Sequence, residues 1–350
     1  MRLLLVLCVS RTVHGLNIAV TGAHGYLGAE ICWLAASQGH SVRAIGRGTS
    51  FASILPPSCR CVDLGDLTDP VAAREAAEGM DAVIHTAGVF KKCDDMESDL
   101  VQPNIALAEQ MVCACAAANA RLVLTSSMAA VRGEGQPPSN GGWYTAKNDW
   151  NTLSQRDGPG FAPYQYSKRA SEERARELAK EVGLELVTLC PAMIFGPPRD
   201  PASTAFSVEM VRGWAKGSSP VRSLLVSDVR DVAAAHVSAA VRTGPLPQPR
   251  YIVACEARSP ASTEAEAVRR GLLRNPSEAL SILQKQQGAI EAPDPKAVHA
   301  AEGSEEGEGG GAIPIGAKEV EAADALWNDL GVRCRPTAET LEDMAAALRL

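Results

Sequence analysis

Short apolar runs alternate with helical patterns along the first third of the chain. The run at residues 17–20 is rich in β-branched side chains and stops at a glycine turn, and leucine and isoleucine then recur at helical spacing over 25–37. The same pattern predicts further strands and helices, the strands at 42–45, 59–62, 82–85 and 122–125 and the helices at 70–78 and 100–119. Strict alternation, with strands that are apolar throughout, predicts a parallel sheet covered by helices on both faces.

The second half continues the pattern less strictly. It predicts a charged helix at 164–182, a strand at 184–190, helices at 204–216 and 231–241, a strand at 251–254 and a helix–turn–helix at 318–350. We therefore expect an α/β fold, a doubly wound parallel sheet of the Rossmann type, with a smaller C-terminal substrate-binding lobe. The dinucleotide-binding domain is expected at 17–190 and the lobe, interleaved with the sheet, at 191–350. Gly, Glu and Ala dominate 285–316, which predicts an acidic low-complexity loop.

Residues 1–16 form an N-terminal extension before the first strand. Seven apolar residues in a row, Leu3 to Val9, are at the short limit of a secretory apolar region, and Ser10–Arg11 is a poor cleavage context. The segment is either a targeting peptide or an extension that leads into the first strand. We expect a cytoplasmic protein and leave the targeting alternative open.

Composition narrows the classes of function. The chain has 350 residues, 46% of them hydrophobic and 4% aromatic, and a net charge of −7. The acidic balance argues against a nucleic-acid partner, and no stretch reaches the ~18 apolar residues of a membrane span. The ten cysteines lack the spacing of a common zinc or redox hairpin, so we expect no metal site and mostly reduced thiols. A small-molecule substrate is the expected partner.

A glycine-rich loop follows the first predicted strand and opens the first predicted helix. Gly22 allows a tight turn, Gly25 lets backbone approach a pyrophosphate, and Gly28 lets the helix pack closely on the sheet. The free N–H groups and the dipole of the helix N-terminus favour phosphate at this position. Strand, loop and helix come in the order that a dinucleotide site requires.

The region after the second predicted strand indicates which dinucleotide binds. An acidic residue there would bind the ribose hydroxyls of NAD, but no carboxylate is present. Arg47 lies where a 2′-phosphate would sit, and a guanidinium suits phosphate, so NADPH is favoured over NAD. Arg47 as a solvated surface charge is the alternative. In the turn at 65–69, Asp66 can meet the adenine, Asp63 competes for that role, and Asp69 is expected to cap the following helix.

A tyrosine and a lysine lie four residues apart on the charged helix. Tyr164 and Lys168 therefore share one helical face, and a nearby ammonium lowers the pKa of a phenol. The pair makes a tunable acid or base. Ser126 and Ser127 end the fifth predicted strand, at the sheet edge where α/β proteins bind ligands, and a hydroxyl there can bind a substrate carbonyl.

Several segments together carry a resemblance to a known family. They are Thr21 to Gly28, Gly65-Asp66-Leu67, His85-Thr86-Ala87-Gly88, Asn104, Thr125-Ser126-Ser127, Tyr164 to Lys168, Pro191 to Pro197, and Val229 to His236. The chain resembles an extended short-chain dehydrogenase/reductase of the NAD-dependent epimerase/dehydratase superfamily, in its dihydroflavonol reductase-like branch. The resemblance covers about residues 17–255 and, more loosely, 318–350.

The resemblance implies roles for the matching residues. Ser127 would polarise the carbonyl, Tyr164 would be the acid, and Lys168 would hold the nicotinamide ribose and lower the tyrosine pKa. The remaining cofactor-binding residues implied are Thr21, Gly22, Gly25, Tyr26, Leu27, Gly28, Arg47, Asp66, Leu67, Thr86, Ala87, Gly88, Asn104, Pro191 and Ile194. In this family the segment at 229–236 is a structural signature, so Asp231 and His236 are expected to be structural.

One departure and three aromatic residues bear on the substrate. Arg132 stands where flavonoid reductases carry an asparagine, which puts the usual contact with a catechol ring in doubt. Trp143, Tyr144 and Trp150 either wall the substrate site or pack in the fold.

Three functions follow from these observations. The first is an NADPH-dependent oxidoreductase that reduces a ketone or aldehyde to an alcohol. The second is an NAD-dependent nucleotide-sugar epimerase or dehydratase, and the third is a non-catalytic NADP-binding regulatory protein. The sequence leaves a homodimer open.

Overall fold

The computed structural model describes most of the chain. The described residues are 15–48, 50–91, 93–140, 143–216, 218, 224–254, 256–258 (backbone only) and 324–350. The expectations for residues 1–14 and for the acidic loop at 285–316 fall outside the described residues.

A seven-stranded parallel sheet forms the centre of the molecule. Its strands are β1 (Asn17–Thr21), β2 (Ser41–Gly46), β3 (Arg60–Asp63), β4 (Ala82–His85), β5 (Arg121–Thr125), β6 (Leu186–Pro191) and β9 (Arg250–Val253). Their order across the sheet is β3-β2-β1-β4-β5-β6-β9, and every neighbouring pair is parallel. This order is that of a Rossmann-type doubly wound sheet, so the predicted fold class is confirmed.

Helices cover both faces of this sheet. α1 and α7 lie on one face and α2, α3 and α5 on the other. The helices of the described residues are α1 (Tyr26–Ser37), α2 (Pro70–Ala77), α3 (Gln102–Ala118), α4 (Met128–Val131), α5 (Ala162–Val182), α6 (Phe206–Lys216), α7 (Val229–Val241), α8 (Asp324–Leu330) and α9 (Thr337–Leu348). A 3₁₀ turn at Ser50–Ile54 and a π-helical turn at Glu97–Val101 precede β3 and α3. None of the helices in the described part of the chain combines the length with the hydrophobicity of a membrane-spanning segment.

Side-chain alternation along the strands divides the core into two layers. In β1, Ile18 and Val20 pack with α1 and α7, while Ala19 packs with α2, α3 and α5 on the opposite face. All three side chains are fully buried. Strands covered on both sides must be apolar at every position, which is why they read as continuous hydrophobic runs in the sequence.

A second, three-stranded sheet was not predicted. It contains β7 (Met193–Phe195), β8 (Leu224–Asp228) and β10 (Glu256–Arg258), in the order β10-β8-β7. It packs with α6 and α9 around Phe195 and Trp214, both fully buried. The predicted strand at 184–190 therefore continues into a second strand that lies in a different sheet.

Capping residues fix where two helices begin. The Asp69 carboxylate accepts a hydrogen bond from the Val71 N–H at 3.2 Å, so its expected role as the cap of α2 is confirmed. Asp228 does the same for α7 through the Arg230 N–H at 2.8 Å.

Among the described cysteines seven are free thiols, and Cys334 is in a disulfide.

Candidate active site

The glycine loop between β1 and α1 leaves no room for side chains at two positions. Gly22 has a φ of +69°, and a Cβ there would lie 2.9 Å from the Ala87 nitrogen. A Cβ at Gly28 would lie 2.2 Å from the carbonyl oxygen of Gly22. The Gly25 N–H donates to that same carbonyl at 2.9 Å, which closes the turn. The positive φ and the close packing at Gly22, and the close packing at Gly28, thus require glycine at these two positions.

The N-terminus of α1 presents backbone donors. Its first residue follows Gly25, which supplies no side-chain cap, whereas α2 and α7 are capped by aspartates. The N–H groups of the first turn have no acceptor within the helix, and the helix dipole favours an anion beside them. A cavity of about 300 Å³, lined by Gly25, Tyr26 and Arg199 among others, adjoins this turn. The loop therefore fits the diphosphate of a dinucleotide.

Tyr26 and Leu27 direct their side chains towards protein. The Tyr26 hydroxyl donates to the Gly196 carbonyl at 2.6 Å, which ties the glycine loop to the segment after β7. Leu27 is buried in the core under α1. Tyr26 and Leu27 therefore offer only their backbone N–H groups to a ligand, and their side chains hold the first turn of α1 in place.

The ends of β1 and β4 are joined by hydrogen bonds. The Thr86 hydroxyl donates to the Thr21 carbonyl at 2.7 Å, and the Thr21 hydroxyl accepts from the Ala87 N–H at 3.3 Å and shares a 2.7 Å hydrogen bond with Nδ1 of His85. Thr86 and Ala87 therefore lie directly beside the glycine loop, at the edge where the sequence predicted cofactor contacts.

Asn104 shapes the segment after β4. Its side-chain amide accepts from the Val89 N–H at 2.8 Å and donates to the Val89 carbonyl at 3.0 Å. The same amide donates to the Ser167 hydroxyl at 3.3 Å, and its oxygen would lie 3.3 Å from a Cβ at Gly88. Asn104 is buried and acts on the backbone of residues 88–89.

Arg47 and Asp66 occupy the outer edge of the sheet. Arg47 is exposed just beyond β2, and burial together with the Arg47 charge lowers the pKa of neighbouring His24. Asp66 is also exposed, and its carboxylate accepts from the Thr68 N–H at 2.9 Å, while Leu67 is buried. The Asp63 carboxylate accepts from the Gly65 N–H at 3.0 Å. Both carboxylates shape the turn after β3, so the geometry does not choose between them.

Tyr164 and Ser127 come together at the carboxyl end of β5. Burial raises the pKa of the Tyr164 phenol above its ordinary value, and a hydrogen bond with the Ser127 side chain opposes that rise. The Ser127 hydroxyl also accepts from the Ala129 N–H at 3.1 Å, which begins the short helix α4. The pair places two hydroxyls side by side where a carbonyl oxygen could accept from both.

Lys168 lies one turn further along α5. Its Nζ donates to the Thr125 carbonyl at 2.9 Å, and burial lowers its pKa, with Glu172 and Cys190 acting in the opposite direction. A cavity of about 20 Å³ beside it is lined by Asn104, Thr125, Ser126 and Glu172, among others, and is large enough for one water. The role of Lys168 in lowering the tyrosine pKa stays a prediction.

Pro191 and Ile194 lie where β6 passes into β7. Pro191 is buried at the carboxyl end of β6 and is paired in register with Val253, and Ile194 is half-buried. The backbone of Pro191 therefore lies at the same sheet edge as Ser127, whereas Ile194 lies in β7 of the small sheet, paired in register with Ser227.

A buried ionic network that was not predicted from the sequence lies behind the site. Glu172 is fully buried, and one carboxylate oxygen accepts from Arg250 at 2.8 Å while the other accepts from the Ser126 hydroxyl at 2.6 Å. Arg176 donates to it at 3.1 Å, and the two guanidiniums lower its pKa despite burial. Glu172 comes four residues after Lys168 and eight after Tyr164, so helical spacing could have indicated it.

Tyr144 and Trp150 pack within the fold. The Tyr144 hydroxyl donates to the Gln136 carbonyl, and the Trp150 ring lies 3.8 Å from the Arg250 guanidinium carbon. Trp143 is exposed. The aromatic residue beside Tyr164 is instead Phe90, which was not predicted from the sequence and lies edge-on to the Tyr164 ring at 4.6 Å between centroids.

Asp231 and His236 make structural contacts. The Asp231 carboxylate accepts from the backbone N–H of Arg335 at 2.6 Å and forms an ion pair with the Arg335 guanidinium. His236 lies 2.8 Å from both the Val232 carbonyl and the Thr125 hydroxyl. Their partners are thus different, and each holds one element against another.

Comparison with known proteins gives a family match over most of the chain. The model of the NAD dependent epimerase/dehydratase family matches residues 18–254. Cinnamoyl-CoA reductase 1 of Arabidopsis thaliana is 32% identical over 260 residues, covering 70% of this chain and 72% of that protein. Dihydroflavonol 4-reductase of Callistephus chinensis is 26% identical over 238 residues, covering 63% of this chain and 64% of that protein.

Solved structures share the fold. Yeast methylglyoxal/isovaleraldehyde reductase, complexed with NADPH, has a TM-score of 0.72 at 23% identity, covering 95% of this chain and 98% of that one. The chain therefore belongs to the NAD dependent epimerase/dehydratase family, as an NAD(P)-dependent oxidoreductase of the extended short-chain dehydrogenase/reductase type and the dihydroflavonol reductase-like branch.

Proposed function

We propose that the chain reduces a ketone or aldehyde to an alcohol with NADPH, using Ser127, Tyr164 and Lys168. The observation that carries this proposal is the pairing of the Tyr164 phenol with the Ser127 side chain at the carboxyl end of β5. The bound dinucleotide would supply the hydride, as it does throughout nicotinamide chemistry.

The residues of the chain would handle the carbonyl oxygen and its proton. Ser127 donates a hydrogen bond that polarises the carbonyl, and Tyr164 gives its proton to the same oxygen as negative charge develops there. The raised pKa of Tyr164 keeps the phenol protonated at neutral pH, which is the form that reduction consumes. Lys168, held at the Thr125 carbonyl, supplies a nearby positive charge and a donor for a ribose hydroxyl.

Arg47 supports the choice of NADPH. It is exposed beyond β2, and no carboxylate lies between the end of β2 and Ser50 in the sequence. A guanidinium binds phosphate through paired hydrogen bonds, whereas a ribose diol would require an acceptor there. The NADPH complex of the yeast reductase is in keeping with this assignment.

A panel of ketones and aldehydes, followed by NADPH absorbance, tests the activity. Tyr164→Phe should abolish turnover while NADPH still binds, because the phenyl ring keeps the packing and loses the proton. Tyr166→Phe is the matched control on the same helix, since its hydroxyl contacts Arg156 and should leave turnover unchanged. Retained turnover in Tyr164→Phe would reject the proposed acid. Conversion of a nucleotide sugar without net NADPH loss would favour an epimerase.

Arg47→Gln tests the cofactor preference. Loss of a charged hydrogen bond should weaken NADPH binding by about 10- to 100-fold and leave NADH binding nearly unchanged. Arg60→Gln is the control. Arg60 is an exposed arginine at the amino end of β3, whereas Arg47 follows the carboxyl end of β2. Equal effects on the two nucleotides would remove the role of Arg47.

A further inference from the structure

Three phenylalanines from separate parts of the chain meet beside Tyr164. Phe90 lies in the connection after β4, Phe161 immediately precedes α5, and Phe206 is the first residue of α6. We call these three residues the phenylalanine cluster. Their exposed fractions are 45%, 51% and 41%, so each residue is partly packed and partly open to solvent.

The rings contact one another, and Phe90 also contacts the proposed proton donor, Tyr164. Phe90 lies edge-on to Phe206 at 5.5 Å and to Tyr164 at 4.6 Å between centroids. Phe161 lies edge-on to Phe206 at 6.0 Å and nearly parallel to Phe90 at 6.4 Å. Such spacings are those of favourable aromatic pairs. The cluster is thus an organised apolar surface that continues directly from the Tyr164 ring.

Its exposure is unusual for phenylalanine. The chain has only five phenylalanines, and the other two, Phe51 and Phe195, are buried. Contiguous exposed apolar surface in a soluble protein commonly marks a place where something binds. Because the surface borders the proposed proton donor, the occupant that fits is the part of the substrate attached to its carbonyl.

The chemistry of the cluster restricts that part of the substrate. A phenylalanine ring offers neither a donor nor an acceptor, so a hydroxyl or charged group placed against the three rings would lose water without gaining a partner. An alkyl or unsubstituted aryl group loses only unfavourable contact with water.

We propose that the phenylalanine cluster is the subsite for the hydrocarbon group of the substrate. The preferred substrate is then an aldehyde or ketone whose carbonyl carries an alkyl or aryl group without a hydroxyl or charge. The inference rests on the proposed function, since it assumes that Tyr164 and Ser127 take the carbonyl oxygen.

Pairs of substrates that differ by one hydroxyl provide the first test. Phenylacetaldehyde should show kcat/KM about 10- to 100-fold higher than para-hydroxyphenylacetaldehyde, and hexanal should exceed its terminally hydroxylated derivative in the same way. Equal values within each pair would overturn the inference.

Variants of the cluster provide the second test. Phe90→Ala and Phe206→Ala should lower kcat/KM for phenylacetaldehyde about 10-fold, mainly through KM, and should change that for acetaldehyde less than about 2-fold. Val182→Ala, an exposed apolar residue at the far end of α5, is the matched control and should have no effect. Phe90→Leu and Phe206→Leu keep apolar volume and should recover most of the loss. An equal loss for both aldehydes would show that the rings merely support the fold and would overturn the inference.

A binding measurement separates this inference from the proposed function. Phenylethanol, the product alcohol, should bind the NADP-loaded wild-type chain in a calorimeter, and Phe90→Ala should weaken that binding about 10-fold. Absence of phenylethanol binding overturns the subsite, whether or not any aldehyde turns over. Tyr164-dependent reduction of acetaldehyde without any preference for apolar groups would refute the subsite alone, and phenylethanol binding without turnover of any carbonyl would refute only the proposed reduction.

Discussion

Two buried histidines should make the folded chain sensitive to mild acid. The His236 Nδ1–H donates to the Val232 carbonyl at 2.8 Å, and its Nε2 accepts from the Thr125 hydroxyl at the same distance, so both nitrogens are used in the neutral ring. Burial lowers the pKa of His236 to about 4. Burial and the Lys168 charge lower the pKa of His85 to about 3.

The size of the effect follows from proton linkage. In the unfolded chain both histidines have a pKa near the ordinary value of 6.5, so below that pH the unfolded state takes up protons that the folded state does not. The stabilising contribution is therefore complete above pH 6.5 and is lost as pH falls towards the folded-state pKa values. Between about pH 7.5 and about pH 5, each histidine should remove about 2 kcal/mol from the free energy of unfolding.

Urea unfolding at these two pH values measures the loss. His236→Asn removes one titrating group, so its free energy of unfolding should fall about 2 kcal/mol less than that of the wild type over the same interval. His24→Asn is the comparison variant. Burial and the Arg47 charge also lower the pKa of His24, but its side chain is exposed, so its pH interval should shrink by less than that of His236→Asn.

The comparison is between pH intervals, so a general loss of stability in the variant does not affect it. A pH interval in His236→Asn as large as that of the wild type would refute the linkage argument for this residue.

Three further substitutions test packing at and behind the site. Gly28→Ala should destabilise the chain by about 1–3 kcal/mol and weaken NADPH binding measured by calorimetry, because the new Cβ would lie 2.2 Å from a backbone oxygen. Arg250→Met should cost about 3–5 kcal/mol in urea unfolding, since it leaves the buried Glu172 carboxylate without its closest guanidinium; a neutral effect would contradict the network. Tyr26→Phe should cost about 1 kcal/mol in the same assay through loss of the hydrogen bond to the Gly196 carbonyl, and an unchanged stability would show that this bond contributes nothing.

The large sheet could be predicted because its strands are apolar on both faces. The strand at Ala82–His85 has the predicted limits, and the other predicted strands of the large sheet lie within two residues of theirs. The small sheet could not be predicted in the same way. Its strands β7 and β10 have three residues each, too few to show a period, and β10 pairs with a strand about thirty residues before it.

In the candidate site too, the features that are local in sequence could be predicted and those that join distant residues could not. The glycine loop and the Tyr164–Lys168 spacing are local patterns, so the sequence alone indicates them. The Glu172–Arg250 pair joins residues that lie 78 positions apart, and the phenylalanine cluster joins two connections and the first residue of α6. Neither follows from local spacing, since both depend on where the chain returns to the sheet.

The segment Thr125–Ser127 shows how the two helix layers determine the position of the proposed catalytic serine. From the layer of α7, His236 binds the Thr125 hydroxyl, and from the layer of α5, Lys168 binds the Thr125 carbonyl. Glu172, also on α5, binds the next residue, Ser126, at 2.6 Å. The backbone that leads into Ser127 is therefore held from both faces of the sheet. Because hydrogen bonds from opposite layers leave this segment little freedom, a change in either layer should move the serine hydroxyl relative to the Tyr164 phenol, even where it touches neither residue.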